Sequence, residues 1–393
     1  MSNNRLLAIE AGVLLTPVKK FVPGRLIIDG SSIADVGSSE TVRFPRGAET
    51  VDASQMFVLP GFIEPHIHGA GGRDVMEGNY EALNTVSRTL SRHGTTSFMA
   101  TTVTSPPGTL ISAIEKIGTH IAKAFDGAQP LGIHLEGPFI SATKRGTHNA
   151  ANISLPDVDL FQKLIRAGNK SIRLLTIAPE LAGAQELLRI ANASHIPVAM
   201  GHSNATFQEA HSAVESGIRY AVHTFNAMRA FSHRDPGIVG EVLSDDRVFA
   251  EVIADGVHVD RSVIGLFARV KGKTRVLLVT DAVSATDMPD GRYFLGNEVV
   301  DVAGGLCHDS EGRLAGSTLT QDVALRNFVE WSGWPFEDAL LALTLNPAQV
   351  LGLEKKGNLE PGADADVVLM DQTFRVMKTF VKGNLVFDSS WTN

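Results

Sequence analysis

Two imidazoles one residue apart, His66-Ile67-His68, share one side of an extended chain, because side chains along a strand alternate with a period of two. They form a ready chelating pair. Glu136, in His134-Leu135-Glu136-Gly137-Pro138, could add a charged oxygen, and His202 and His223 two further nitrogens. A mixed nitrogen and oxygen set of this kind suits Zn²⁺ or Fe²⁺. Asp281 follows Leu277-Leu278-Val279-Thr280, which reads as a buried strand. Its carboxylate could cap the next helix. In the sharper reading it accepts a proton from a metal-activated water and later gives it to a leaving group, which is the chemistry of a hydrolase.

Other catalytic templates are absent. There is no Walker A pattern, no His-Glu-x-x-His helix, no Cys-x-x-Cys and no Gly-x-Ser-x-Gly elbow. Gly69-Ala70-Gly71-Gly72 lacks the third glycine and the downstream acid of a dinucleotide fingerprint. Cys307 stands beside His308, but it reads as a small buried thiol near a turn rather than half of a catalytic dyad.

The elements that must hold these residues alternate in type. Eight short runs read as strands: Phe57–Ile63, Thr96–Thr101, Leu131–Leu135, Arg173–Ala178, Val198–Gly201, Tyr220–Val222, Val248–Ala254 and Val276–Thr280. Helical stretches follow them, among them Tyr80–His93 before Gly94, Leu110–Phe125, Ala205–Ser216 before Gly217 and Arg261–Val270 before Gly272. Strand and helix in alternation imply an α/β fold, a (β/α)8 barrel, with a doubly wound open sheet as the competitor. In the barrel, the candidate ligands all follow strand C-termini and converge on one mouth.

Both ends of the chain look different. Leu6–Ile9, Val13–Leu15, Arg25–Ile28, Ile33–Val36 and Thr50–Asp52 read as short strands, as do Asp366–Met370, Val376–Val381 and Leu385–Phe387. Neither set alone makes a stable sheet, so the two are expected to meet in one small discontinuous β-sandwich domain rather than form two flaps. The expected division is 1–56 and 355–393 for that domain and 57–354 for the barrel.

Composition limits the partners. With 35 Lys+Arg against 43 Asp+Glu the formal charge is −8, and no block of five like charges occurs, so neither nucleic acid nor an anionic membrane is an expected partner. No apolar run reaches the ~18 residues of a spanning helix. Met1–Leu15 is interrupted by Glu10 and lacks a cleavage pattern, so no signal peptide is read there, and one cysteine in the whole chain favours a reducing compartment. A cytoplasmic location is the expectation.

Longer motifs carry a resemblance. Leu59-Pro60-Gly61-Phe62-Ile63-Glu64-Pro65-His66-Ile67-His68-Gly69, His134-Leu135-Glu136-Gly137-Pro138-Phe139, Lys144-Arg145-Gly146-Thr147-His148, Gly201-His202-Ser203, His223-Thr224-Phe225-Asn226-Ala227-Met228, Ile253-Ala254-Asp255-Gly256-Val257-His258 and Val279-Thr280-Asp281-Ala282 run along the chain in order. Over essentially its whole length the chain resembles the N-acetylglucosamine-6-phosphate deacetylases of the amidohydrolase superfamily. The first motif is shared across the superfamily, whereas the segments around Asn226-Ala227-Met228 and Asp255-Gly256-Val257-His258 are more specific.

The resemblance implies Glu136, His202 and His223 as metal ligands, with His66 and His68 adding a second site, so that one or two ions of zinc or iron bind per chain. It implies Asp281 as the proton shuttle. Asn226, Ala227 and His258 would hold the sugar phosphate, and His148 would contact the sugar or the developing oxyanion. Arg234 would cross a homodimer interface to the neighbouring phosphate, which its planar fork can bind bidentately. The galactosamine counterpart, a cyclic-amide hydrolase and a catalytically silent scaffold are the alternatives.

Overall fold

The computed structural model describes residues 6–391. Residues 1–5 and 392–393, which the sequence places in the two parts of the small β domain, with the first five also in the segment read for a signal peptide, lie outside the described residues.

The two ends of the chain meet in one sheet. Leu6–Leu15 pairs antiparallel with Gly24–Asp29 and parallel with Glu49–Pro60. Glu49–Pro60 in turn pairs with Val367–Met370, and the ladder continues through Val376–Val381 to Asn384–Asp388. Leu7, Ile9, Leu26 and Ile28 from the first part share a core with Val367, Leu369 and Phe380 from the last. Each such side chain contributes about 1.5–3 kcal/mol by leaving water, which neither half could gain alone. Leu6–Ile9 and Val13–Leu15 are a single strand. Its register shifts between Ala11 and Val13, at Gly12, where a Cβ would stand 2.2 Å from the Ser54 carbonyl oxygen.

The run Phe57–Ile63 divides between two sheets. Its first part ends Glu49–Pro60, and its second begins the barrel strand Phe62–Ile67. The break falls at Gly61, where a Cβ would meet the Thr96 hydroxyl oxygen at 2.2 Å. Both strands are buried at the junction, so hydrophobicity runs through it without a boundary.

Eight parallel strands follow one another around the barrel: Phe62–Ile67, Thr95–Thr102, Gln129–Glu136, Ile172–Ile177, Val198–Met200, Tyr220–Ala221, Phe249–Ile253 and Val276–Val279. The seam between the first and the last is closed largely by single contacts. Asp281 N–H donates to the His66 carbonyl at 3.1 Å and His68 N–H to the Ala282 carbonyl at 2.9 Å. Glu64, fully buried, accepts His66 N–H with one oxygen at 3.0 Å and Thr280 N–H with the other at 3.1 Å. A side chain thereby takes the place of ladder bonds.

Three expected helices are shorter or displaced: Tyr80–Ser91 turns out through Gly94, at φ 82, the second runs Pro107–His120, and Ala205–Ser216 is helical over Phe207–Glu215. Pro107 opens it because a first-turn N–H has no partner to lose. After the eighth strand the chain adds a three-stranded antiparallel sheet, Gly291–Leu295, Glu298–Ala303 and Leu306–His308, which the sequence reading did not separate. Its Leu295, Val300 and Cys307 pack with Val103 and Val283. Burial pushes the Cys307 thiol up to about 12, so it stays protonated. No helix among the described residues is long and apolar enough to cross a membrane.

Candidate active site

Glu136 ends the third barrel strand, and His202, His223 and Asp281 each stand two residues beyond the end of the fifth, sixth and eighth. These last three residues share a left-handed backbone, at φ 45, 28 and 50. For a residue with a Cβ that conformation costs on the order of 1–2 kcal/mol, and here backbone hydrogen bonds hold it. Ser141 N–H donates to the His202 carbonyl at 2.9 Å, and Ser317 N–H donates to the Asp281 carbonyl at 2.8 Å.

Four of the imidazoles proposed from sequence surround Glu136. Its Oε1 lies 3.1 Å from His223 Nε2, 3.2 Å from His202 Nε2 and 3.3 Å from His66 Nε2, and its Oε2 lies 3.3 Å from His68 Nε2. Asp281 Oδ1 is 3.1 Å from His68 Nε2 and 3.6 Å from His66 Nε2. His148 Nε2 completes the ring around Glu136 Oε2 at 3.6 Å.

The far side of each ring fixes what its near side offers. His68 Nδ1 is 3.0 Å from the Thr101 carbonyl and His202 Nδ1 is 3.0 Å from the Lys144 carbonyl. A carbonyl only accepts, so in both rings Nδ1 carries a proton, and in the neutral ring it is Nε2 that presents a lone pair. His148 is the reverse: its Nδ1 accepts the Thr104 backbone N–H at 3.2 Å, so Nε2 carries a proton into the cavity. His148 is therefore set up as a donor and the other two as ligands.

Lone pairs facing carboxylate oxygens at about 3 Å repel unless a cation lies among them. His66 Nε2 is buried with no hydrogen-bond partner among the described residues. Ligand atoms of His66, Glu136 and His223, and of His66, His68 and Asp281, lie within 4.8 Å of one another. Burial opposes ionisation of Glu136, but His66, His148, His202 and His223 hold its carboxyl well below the usual range. Burial also works against a charged His68, yet Asp281 and Glu136 raise it to about 9. His202 goes the other way, to about 4, chiefly through burial. The two carboxylates draw positive charge into a buried cluster, and the donor set fits a divalent metal ion.

The cluster forms the floor of a cavity of about 870 Å³, counting its open mouth, whose walls include His148, Asn226, Ala227 and His258. Asn226 donates its amide to the His223 and Thr224 carbonyls, at 3.3 and 3.4 Å. The Ala227 N–H has no partner among the described residues, and Ala227 is itself left-handed, at φ 51. His258 donates from Nδ1 to Asp255 at 2.7 Å. Burial opposes charge on His258, but Asp255 raises it above the ordinary imidazole value. Arg234 is not brought to the cavity: it is exposed and makes no ion pair among the described residues.

Residues 57–386 match the amidohydrolase family. The chain belongs to that family. An amidohydrolase fold implies a divalent metal, in agreement with the donor set above. This amidohydrolase is 37% identical to the N-acetylglucosamine-6-phosphate deacetylase of Vibrio furnissii, over 90% of this chain and 89% of that one. It is also 37% identical to the human enzyme of the same name, over 97% of this chain and 91% of that one. A solved N-acetyl-D-glucosamine-6-phosphate deacetylase from Mycobacterium smegmatis, in complex with N-acetyl-D-glucosamine-6-phosphate, superposes with a TM-score of 0.90 at 31% identity, covering 97% of this chain and 99% of that one.

Sequence reasoning missed several parts of this amidohydrolase's site. Leu295, Asn297 and Glu298 of the inserted hairpin line the cavity, and Glu298 accepts the Asn149 amide at 2.8 Å across its mouth. Thr104 sets the His148 tautomer through a backbone N–H, which no side-chain pattern encodes. Glu251 lies beneath His66 and His223. It carried a signal, as the one charge inside the apolar stretch Val248–Ala254.

Proposed function

We propose that the protein hydrolyses the N-acetyl amide of N-acetylglucosamine 6-phosphate, giving acetate and glucosamine 6-phosphate. The observation that carries this reading is a cavity in which the carboxylate and imidazole cluster adjoins the Asn226-Ala227 turn and His258. Relatives of that activity aligned over most of the chain support it.

Glu136, His202 and His223 would hold one divalent ion, zinc or iron(II), and His66 and His68, sharing Glu136, a second. Such an ion supplies Lewis acidity and lowers the pKa of water toward neutrality. Asp281, at the edge of the cluster, takes the proton of the attacking water on its carboxylate. It passes that proton to the amide nitrogen as the C–N bond breaks, so that the amine leaves neutral, and the acetic acid that carries the water's oxygen and second proton ionises to acetate. His148 Nε2–H donates to the carbonyl oxygen as negative charge develops there. The Ala227 N–H, Asn226 and His258 hold the sugar phosphate.

Arg234 serves the neighbouring subunit of a homodimer, a reading supported by its exposed, unpaired position on the loop that follows Asn226-Ala227. The barrel, 57–354, carries the reaction. Residues 1–56 and 355–393 form the accessory domain, although the strand Glu49–Pro60 runs across the first boundary. The single buried thiol supports a cytoplasmic setting.

The test is acetate release from the 6-phosphates of N-acetylglucosamine and N-acetylgalactosamine and from both unphosphorylated sugars, with and without chelator. Chelator-sensitive release that is fastest from the glucosamine 6-phosphate is expected. Equal rates with and without the phosphate would overturn the substrate assignment.

A further inference from the structure

One buried carboxylate below the site goes unused by the reaction. Glu251 lies in the seventh barrel strand, Phe249–Ile253, and is fully buried. Its Oε2 accepts the His223 backbone N–H at 2.8 Å and stands 3.0 Å from His66 Nδ1. Its Oε1 accepts the Tyr220 hydroxyl at 2.5 Å. Because a backbone N–H can only donate, Oε2 is an acceptor, and the proton between it and His66 belongs to Nδ1.

That assignment determines what His66 can bind. Its ring lies between two carboxylates, Glu251 on the Nδ1 side and Glu136, 3.3 Å away, on the Nε2 side. With the proton held on Nδ1 by Glu251, the Nε2 lone pair is free for a cation. With the proton on Nε2, the ring would donate to Glu136 instead and its lone pair would point away from the cluster. His68 and His202 have their Nδ1 protons fixed by main-chain carbonyls. His223 Nδ1 has no hydrogen-bond partner among the described residues, so of the four rings that turn a ligand nitrogen toward Glu136, His66 is the one whose Nδ1 is oriented by a side chain, and so by a single replaceable residue.

We infer that Glu251 is a positioning residue that holds His66 in its metal-binding tautomer, and thereby decides whether the first-strand pair can take a second divalent cation. The inference rests on the proposed metal-holding role of His66. By the usual size of such outer contacts, losing Glu251 should weaken cation binding by about 10–100-fold. The loss should be selective, because His223 would keep its Nε2 facing Glu136.

The test is titration of the metal-free protein with Co²⁺, followed by its visible spectrum and by elemental analysis. It is paired with ¹⁵N-histidine NMR of the zinc-loaded protein and compared across Glu251→Ala, Glu251→Gln and Tyr220→Phe. In E251A the second equivalent of cobalt should weaken by about 10–100-fold while the first is retained, and the slowly exchanging Nδ1 proton of His66 should disappear. Gln can place its carbonyl oxygen where Oε2 stands, so E251Q should restore both. Y220F removes a contact of the same carboxylate but not the His66 bond, and should leave both unchanged. Equal weakening of both equivalents in E251A, or E251Q failing like E251A, would overturn the inference. If the unmodified protein binds no cobalt, the metal reading itself fails. The Nδ1 proton of His66 in the ¹⁵N-histidine spectrum of the metal-free protein then decides whether Glu251 positions the ring: its loss in E251A supports that role and its persistence refutes it.

Discussion

His148 and His202 meet edge to face, their ring centroids 4.7 Å apart and their planes at 86°, yet they turn opposite chemistry toward Glu136. His202 offers a lone pair because its other nitrogen donates to Lys144, and His148 offers an N–H because its other nitrogen accepts from Thr104. Replacing them should therefore have different consequences. His202→Ala, like Glu136→Ala, should lose bound metal and activity together. His148→Ala should keep its metal by elemental analysis and lose about 10²–10³ in kcat, the usual worth of one donor to a developing oxyanion. Metal loss in the His148 variant would contradict the tautomer assignment.

Asp281 touches His68 but sits at the edge of the cluster rather than at its centre. Asp281→Asn keeps the shape and removes the proton acceptor. It should retain metal and lower turnover by at least about a hundredfold. Near-normal steady-state rates in this variant would dismiss Asp281 as the proton shuttle.

The His66 and His68 pair predicts stoichiometry. Protein loaded with excess metal and then desalted should hold more than one equivalent per chain, and a His66→Asn/His68→Asn variant should fall to about one. A ratio near one in the unmodified protein would mean that the pair is not a separate site.

Arg234 can be tested by mixing chains. Asp281→Asn and Arg234→Ala proteins, each inactive alone, should regain about one quarter of full activity after re-assortment. Half of the dimers are then mixed, and half of their sites combine an intact Asp281 with the partner's intact arginine. Were Arg234 to act within its own chain, every site would carry one defect and no activity would return.

His93 ties the first helix to the end of the barrel, with Asp322 at 3.1 Å from Nδ1 and Asp287 at 3.6 Å from Nε2. Burial opposes its charge, but Asp287 and Asp322 raise it from 6.5 to about 9. A raised histidine stabilises the fold fully below its unfolded value and loses that contribution as pH climbs through its folded value. Up to about 3 kcal/mol should therefore disappear between pH 6.5 and 9. Thermal melts across this window should show Tm falling in the unmodified protein and falling less in His93→Gln. Parallel declines in the two would exclude His93 as the source.

The alternation of β-branched runs with capped amphipathic stretches was enough to specify a parallel α/β fold, with a barrel ahead of a doubly wound sheet, and the placing of histidines after those runs was enough to locate the strand ends that carry the site. Both are local: a strand's period, a helix cap and the residue that follows a strand are properties of neighbours in the chain. The sequence also supplied the ligand types at His66, His68, Glu136, His202 and His223 and the proton-carrying carboxylate at Asp281. What it could not supply was their chemical state. Whether a ring offers a lone pair or a proton depends on a carbonyl at Thr101 or Lys144, an N–H at Thr104 or a carboxylate at Glu251, each brought from a distant segment by the closing of the barrel. The boundary within Phe57–Ile63 and the hairpin over the cavity were hidden for a related reason. Burial on both sides of Gly61 erases the hydrophobic boundary, and Asn297 and Glu298 reach the cavity only because Leu295 and Val300 pack against the barrel. The left-handed turns at His202, His223 and Asp281 break the two-residue alternation at the places where function needs it broken, and tertiary hydrogen bonds hold those turns against their strain.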